Sequence, residues 1–216
     1  MSKLLSDVFY IGSGAALTME LLVGGILLGL ALGVVFAILR RYRWARPVIC
    51  GLVSVIRGTP VLLQISIFYF ILIPALFRCD LGIRATGIIA LGINSAAYVS
   101  EILRGGIESL PKGQFEAAYA LGIPPFYMWR DIILPQVIMN VLPSLVNETV
   151  SLLKETALIA TIGGMDITRR AQAIAAARYE YFTPLCIAAV TYYALVRILE
   201  FIGKKIENRK LYAENM

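Results

Sequence analysis

The chain contains no histidine. That absence removes histidine-based catalytic triads, zincin-type zinc sites and histidine-ligated haem. Its three cysteines, Cys50, Cys79 and Cys186, are far apart, odd in number and free of Cys-x-x-Cys spacing. Neither a disulfide framework nor a metal site is expected from them. Charge is scarce too: 16% of the 216 residues are charged, against about 25% in soluble domains. No phosphate-binding loop exists, because Gly203-Lys204-Lys205 lacks the upstream glycine and the Ser/Thr that hold phosphate and Mg²⁺. The chain is therefore expected to bind no cofactor, and any ATP it depends on must sit on another chain. Repeats, low-complexity tracts and linkers are also missing, which predicts a single domain over 1–216, with its core at about 14–203 and a short tail at 204–216.

What is abundant is apolar. Hydrophobic residues make up 59% of the chain, and the mean hydropathy is +0.77. A membrane-crossing helix needs about 20 apolar residues. Five segments are read as spans, at 15–39, 48–73 (ended by Pro74), 84–108, 134–163 (interrupted by Pro143) and 182–203. The expectation is an all-α integral membrane protein built as a five-helix bundle. The first run is too long for the core of a signal peptide and is followed by Arg40, Arg41, Arg43 and Arg46, so it reads as a retained span.

The net charge of +6 suits membrane orientation better than nucleic acid, because Lys and Arg gather at the ends of the apolar runs. Eleven fall on one side: Arg40, Arg41, Arg43, Arg46, Arg104, Lys112, Arg130, Lys204, Lys205, Arg209 and Lys210. Six fall on the other: Lys3, Arg78, Arg84, Arg169, Arg170 and Arg178. The richer side is predicted to be cytoplasmic, which puts the N-terminus outside and the C-terminus inside. The longest connection, Ser109–Ile133, then lies inside and holds a short helix at about Gln114–Leu121.

Several helices carry features that lipid does not ask for. Gly25, Gly29 and Gly33 recur at every fourth position of the first span. Such a small-residue face serves either subunit dimerisation or packing within the chain. Arg57-Gly58-Thr59-Pro60 lies deep in the second span, where Pro60 frees a carbonyl on the preceding turn and Gln64 follows one turn later. The segment reads either as path lining or as a kink whose Arg57 pairs with a carboxylate. In the third span Asn94, Tyr98 and Glu101 share a face, and Glu101 can pair with Arg104. In the fourth, Asn147, Ser151, Lys154 and Glu155 form a polar face, with Glu148 and Thr156 beside it. Intramembrane charges face the bundle interior or a wet cavity. Facing stripes of both signs suit a zwitterion such as an amino acid; the alternatives are that the third-span stripe fixes helix packing through an internal ion pair, and that the upper part of the fourth span, with Lys154 about 30 Å from the helix start, has already left the membrane.

The long connection contains Glu116-Ala117-Ala118, Gly122 three residues on, then Ile132 and Leu134-Pro135. This resembles the EAA motif of type I ABC importer permeases. The resemblance covers about 14–203. Val55-Ile56-Arg57-Gly58-Thr59-Pro60 with Gln64 is similar to the signature of the polar amino-acid subfamily (the His, Gln, Glu, Arg and opine permeases). So are Asn94-Ser95-Ala96-Ala97-Tyr98, Arg104-Gly105, Pro111-Lys112-Gly113, Leu153-Lys154-Glu155-Thr156-Ala157-Leu158 and Ile167-Thr168-Arg169-Arg170-Ala171-Gln172. The family more often has Asp-Thr-Ser after the helix-four lysine; Glu155-Thr156-Ala157 keeps the carboxylate on a longer arm and loses one hydroxyl.

The resemblance implies a subunit of the bacterial inner membrane that pairs with a second copy or a sister subunit around a central path. It implies docking of Glu116, Ala117, Ala118 and Gly122 on a cytoplasmic ABC ATPase dimer, and an outer loop, 163–181, that meets an amino-acid-binding protein. Candidate path residues are Thr59, Asn94, Glu101, Arg104, Lys154, Glu155 and Thr156. Membrane lipid is the remaining expected partner and nucleic acid is not one. A stand-alone secondary transporter is the alternative, although no inverted repeats are visible to support it.

Overall fold

The structure is a computed structural model that describes residues 3–214; the outermost ends of the expected domain, 1–2 and 215–216, lie outside the described residues. The described chain is helical from end to end. It runs α1 (Lys3–Gly12), α2 (Ala15–Leu39), α3 (Arg46–Gly58), α4 (Val61–Ile67), a π-helical turn (Phe68–Leu72) and α5 (Ile73–Phe77). It continues with α6 (Gly82–Glu108), α7 (Lys112–Ala120), α8 (Pro125–Tyr127), a second π-helical turn (Met128–Ile133) and α9 (Leu134–Glu155). A 3₁₀ segment (Thr156–Ile162), α10 (Ile167–Arg178) and α11 (Phe182–Glu214) complete it.

Among the described residues, three helical runs are long and apolar enough to cross a membrane: Lys3–Leu39, Gly82–Glu108 and Phe182–Glu207. The pair Arg46–Gly58 and Val61–Leu76, bent by 108°, is apolar enough for a fourth when its two halves are taken together, as a broken span or a re-entrant pair. The 22-residue α9 has the length of a fifth, about 33 Å at 1.5 Å per residue, but its asparagines and Glu148 make it less apolar. Large apolar side chains such as Leu27, Ile38, Val190 and Phe201 stand more than half exposed. Such a coat suits acyl chains and would be a liability in water.

The helix ends differ from the sequence reading in four places. The first helical run starts at Lys3 rather than 15, with a turn at Ser13–Gly14 between α1 and α2. The second span breaks at Thr59–Pro60: Thr59 is extended (φ −116°, ψ 144°), and Pro60 offers no amide to the preceding turn. The fourth runs through Pro143 without ending there and instead tightens into the 3₁₀ segment at Thr156. α11 continues to Glu214, so the segment expected as a tail extends the helix.

The 163–181 connection, expected on the outer side, also gains α10, which the sequence reading took as loop. Asp166 caps it by accepting from the amides of Thr168 (3.1 Å) and Arg169 (2.8 Å). Asp166 is fully buried and also accepts from the Tyr192 hydroxyl of α11 (2.9 Å). Arg178 at the far end of α10 pairs with Asp7 of α1 (2.5 Å). α1, α10 and α11 are thus tied into one cap.

α6 occupies the centre and packs most extensively on α2. The glycine row makes this approach possible. A Cβ on Gly29 would fall 2.8 Å from Ser95 Cβ, and one on Gly33 would fall 2.5 Å from Val99 Cγ1 and 3.1 Å from the Ala96 carbonyl. The small face is therefore filled within the chain, by α6. Around the seam, Leu21, Leu22, Leu91, Leu152, Leu153 and Ile159 form the main core.

Replacing Gly33 by Leu is expected to cost about 1–3 kcal/mol through overpacking against α6, read as a lower unfolding temperature of the purified protein. Gly51→Ala, where an added Cβ meets nothing within 4 Å, should leave that temperature nearly unchanged.

Candidate functional site

The sequence-predicted residues divide among four places. At the end of α2 and α6, Glu101 gathers arginines from three helices. Its Oε1 accepts from Arg40 Nη1 (2.5 Å) and its Oε2 from Arg104 Nη2 (2.8 Å), while Arg57 Nη1 stands 3.6 Å away. The predicted Glu101–Arg104 pair is present, and Arg104 also reaches Glu108 (2.5 Å). Arg57 lies over the Tyr98 ring, 5.2 Å from its centroid. So Arg57 has a carboxylate and an aromatic partner and also lines a cavity of about 930 Å³ shared with Arg40, Glu101 and Arg104.

At the bend, Gln64 performs the task that Pro60 creates. Its Nε2 donates to the Ile56 carbonyl (2.7 Å), to the Thr59 carbonyl (3.1 Å) and to Thr59 Oγ1 (2.9 Å). Its Oε1 accepts from Asn94 Nδ2 (3.0 Å). Thr59 Oγ1 donates in turn to the Val55 carbonyl (2.9 Å). Asn94 is buried, and its Oδ1 has no partner among the described residues. One amide group thus closes the broken turn and fastens it to α6.

Along α9, polar residues stand out on one face. Asn140, Ser144, Asn147, Ser151 and Lys154, at i, i+4, i+7, i+11 and i+14, are all exposed in the single chain. Glu148 and Glu155 flank this face and are partly buried. Ser95 of α6 donates to Glu148 (2.7 Å). Thr156 lies elsewhere: it is fully buried, and its hydroxyl donates to the Leu153 carbonyl (2.6 Å) where α9 tightens.

The fourth place is α7. Phe115 and Ala118 pack inward against Met128, Ile133 and Val137, with the Trp129 ring edge-on to Phe115. Glu116, Ala117 and Tyr119 point outward with Leu121. The smallness of Ala118 therefore serves packing within the chain, and that of Ala117 leaves the outer surface open. Gly122 has φ +66°. Its amide donates to the Tyr119 carbonyl and that of Ile123 to the Ala118 carbonyl, both at 3.0 Å. This is the glycine-ended helix stop that the sequence suggests.

Gln64, Glu148 and Arg40 are the working residues that the candidate path set omits. Arg40 follows an apolar run and reads as an orientation signal; only the fold brings it to Glu101. Gln64 lies one turn beyond a proline in a span, which is a signal for a carbonyl cap.

Residues 25–212 match the model of the family described as binding-protein-dependent transport system inner membrane component. The chain is 44% identical over 211 residues to the putative glutamine transport system permease protein GlnP of Rickettsia conorii, covering 97% of this chain and 96% of that one. It is 42% identical over 213 residues to the arginine transport system permease protein ArtQ of Bacillus subtilis, covering 96% and 95%. Among solved structures, a chain of an amino acid ABC transporter crystallised with histidines superposes with a TM-score of 0.87 at 35% identity, covering 97% of this chain and 99% of that one. The chain belongs to the family of inner-membrane components of binding-protein-dependent transport systems. It is a multi-pass permease subunit and not an enzyme; ATP hydrolysis belongs to a separate subunit of such a system, which also works with a binding protein.

Glu101→Gln should lower stability by about 3 kcal/mol, because it leaves the largely buried Arg40 guanidinium uncompensated. The unfolding temperature of the purified protein checks this, and adding Arg40→Gln should restore part of the loss.

Proposed function

We propose that this subunit lines, together with a second copy or a sister subunit, a path through which a polar amino acid is drawn inward. The observation that carries the reading is the α9 stripe. A membrane helix that turns Asn140, Asn147, Ser151 and Lys154 outward needs a wet or polar surface opposite it. Pairing two such chains face to face supplies that surface and encloses it. Glu155 and Lys154, with Glu148 beside them, offer both signs of charge to a zwitterion. Thr59 and Asn94 contribute polar groups from the bend, Glu101 and Arg104 stand at the path's inner end, and Thr156 shapes the path's wall from within. The names of the glutamine and arginine permeases, and of the amino acid transporter structure, support the substrate class.

The coupling reading places α7 on a cytoplasmic ATPase dimer, where ATP is bound and this chain holds no cofactor. The exposed Glu116, Ala117, Tyr119 and Leu121 are the contact surface, with Ala118 and Gly122 fixing its shape. The count of eleven basic residues against six supports an outside N-terminus and an inside C-terminus. α10 then lies outside, toward the binding protein. ATP binding closes the ATPase dimer, α7 carries the motion to α6 and α9, and the path opens alternately to each side. A stand-alone secondary transporter would have no use for such a docking helix.

Uptake of labelled glutamine, arginine and histidine into reconstituted vesicles, with the others as competitors and with ATP present or depleted, tests the function. Uptake that persists without ATP would overturn it. Gly122→Ile should leave the protein in the membrane and its ATPase partner active while lowering uptake roughly tenfold; unchanged uptake would remove α7 from the coupling role.

A further inference from the structure

Arg40, Arg41, Arg46, Arg57 and Arg104 line one cavity of about 930 Å³, and the carboxylates in that lining are Glu101 and Glu108. Five positive charges against two negative leave an excess of three. Glu101 is engaged by Arg40, Arg57 and Arg104, and Glu108 by Arg104, so Arg41 and Arg46 stand outside these ion pairs. Membrane orientation asks for arginines beside an apolar run. It does not ask them to face one another across a shared space, where like charges repel. Arg43 meets the orientation need while exposed and outside the cavity lining.

Three further observations point to an anion. The Arg40 side chain is nine-tenths buried, and its Nε has no partner among the described residues, which is costly for a buried donor. Arg41 lies over the Trp129 ring, 4.5 Å from its centroid, so its guanidinium is placed before any ligand arrives. α3 turns one face to the cavity: Arg46, Cys50, Val53, Ser54 and Arg57, at i, i+4, i+7, i+8 and i+11. That face begins at Arg46 in the first turn of α3, which carries no acidic residue and no side-chain cap. The positive end of the helix dipole therefore adds to the arginines.

The charge excess selects the class of anion. A carboxylate brings one charge and leaves most of the excess unanswered. A phosphate group with a single ester bond or none brings about two charges and three or more acceptor oxygens, which guanidinium forks meet two at a time. We infer that this cavity binds a dianionic phosphate group between Arg41 and Arg46. Inorganic phosphate and the headgroup of phosphatidic acid present that same chemistry. The occupant bridges the end of α2, the start of α3 and Phe115 at the base of α7, so a shared tie replaces repulsion across the cavity. The lining includes Glu101 and Arg104 of the proposed path, but Arg41 and Arg46 belong to no part of that path. The test below reads anion binding at those two residues, and a failure of the transport reading leaves it untouched.

Cys50 is exposed and lines the cavity, so it reports occupancy without disturbing an arginine. The test uses the transporter purified with its ATPase subunit in phosphatidylcholine nanodiscs, with Cys79 and Cys186 replaced by Ser. Labelling of Cys50 by a neutral maleimide should slow several-fold in millimolar inorganic phosphate, compared with chloride or acetate at equal ionic strength. A second arm replaces the phosphate by phosphatidic acid in the discs. Protection in the first arm assigns the site to a free anion, and protection in the second arm alone assigns it to a headgroup; either supports the inference. The Arg41→Gln/Arg46→Gln pair should lose the protection, and Arg41→Lys/Arg46→Lys should keep part of it. A variant retaining Cys186 alone should label at the same rate in every condition. Absence of protection in both arms overturns the inference. So does equal protection by chloride or acetate, equal protection in the Gln pair, or equal slowing at Cys186. Should the Gln pair fail to assemble, the comparison of phosphate with chloride and acetate on the Cys50 protein decides.

Discussion

The carbonyl of Ile56 has lost its natural donor, because the residue four places on is a proline. In water that costs little. Inside a membrane an unmet backbone carbonyl costs several kcal/mol, so a span broken at Thr59–Pro60 exists only if something else donates. Gln64 does so, from one turn beyond the break, and the other end of the same amide accepts from Asn94. The need that permits the 108° bend therefore also fixes which neighbour the bend leans on. The position of α4 relative to α6, and with it the lining at the bend, follows from one side chain meeting two needs.

Electrostatics makes a second such economy at the other end of α6. A single carboxylate, Glu101, draws Arg40 from the end of α2, Arg57 from α3 and Arg104 from its own helix. Each arginine alone would be costly near the membrane interior, and the shared partner lowers that cost while setting the spacing of three helices. Because one Glu serves three guanidinium groups, the cluster remains positive, and that excess gives the neighbouring cavity its character.

Much of this architecture can be read from residue order alone, for physical reasons that differ from place to place. The long apolar runs mark the spans because no soluble core needs them. The EAA loop is legible because Ala117, Ala118 and Gly122 have fixed spacing, and the family match across 25–212 bears that reading out. The break at Pro60 is foreseeable as a freed carbonyl, but its angle is not, since it depends on how α4 settles against α6. The start of α10 was there to be read in Asp166, a helix-capping residue directly before Ile167-Thr168-Arg169; the expectation of an open outer loop concealed it. The glycine row fits packing and dimerisation equally well on paper, and only the location of Val99 and Ser95 decides between them. Burial of Thr156 was hidden for the same reason: a hydroxyl at the end of a polar stripe looks available until the helix tightens beneath it.

The two sides of α9 differ in kind. One side, with Val137, Val141, Leu152 and Leu153 buried, completes the core of the chain. The other, with Asn140, Ser144, Asn147, Ser151 and Lys154, is the outside of that same chain. A solitary molecule presents this row to oily surroundings with nothing to answer it. On the reading proposed above, that exterior row is the inner wall of a vessel that a second subunit closes, so one helix is packed as core on one side and kept for a partner on the other.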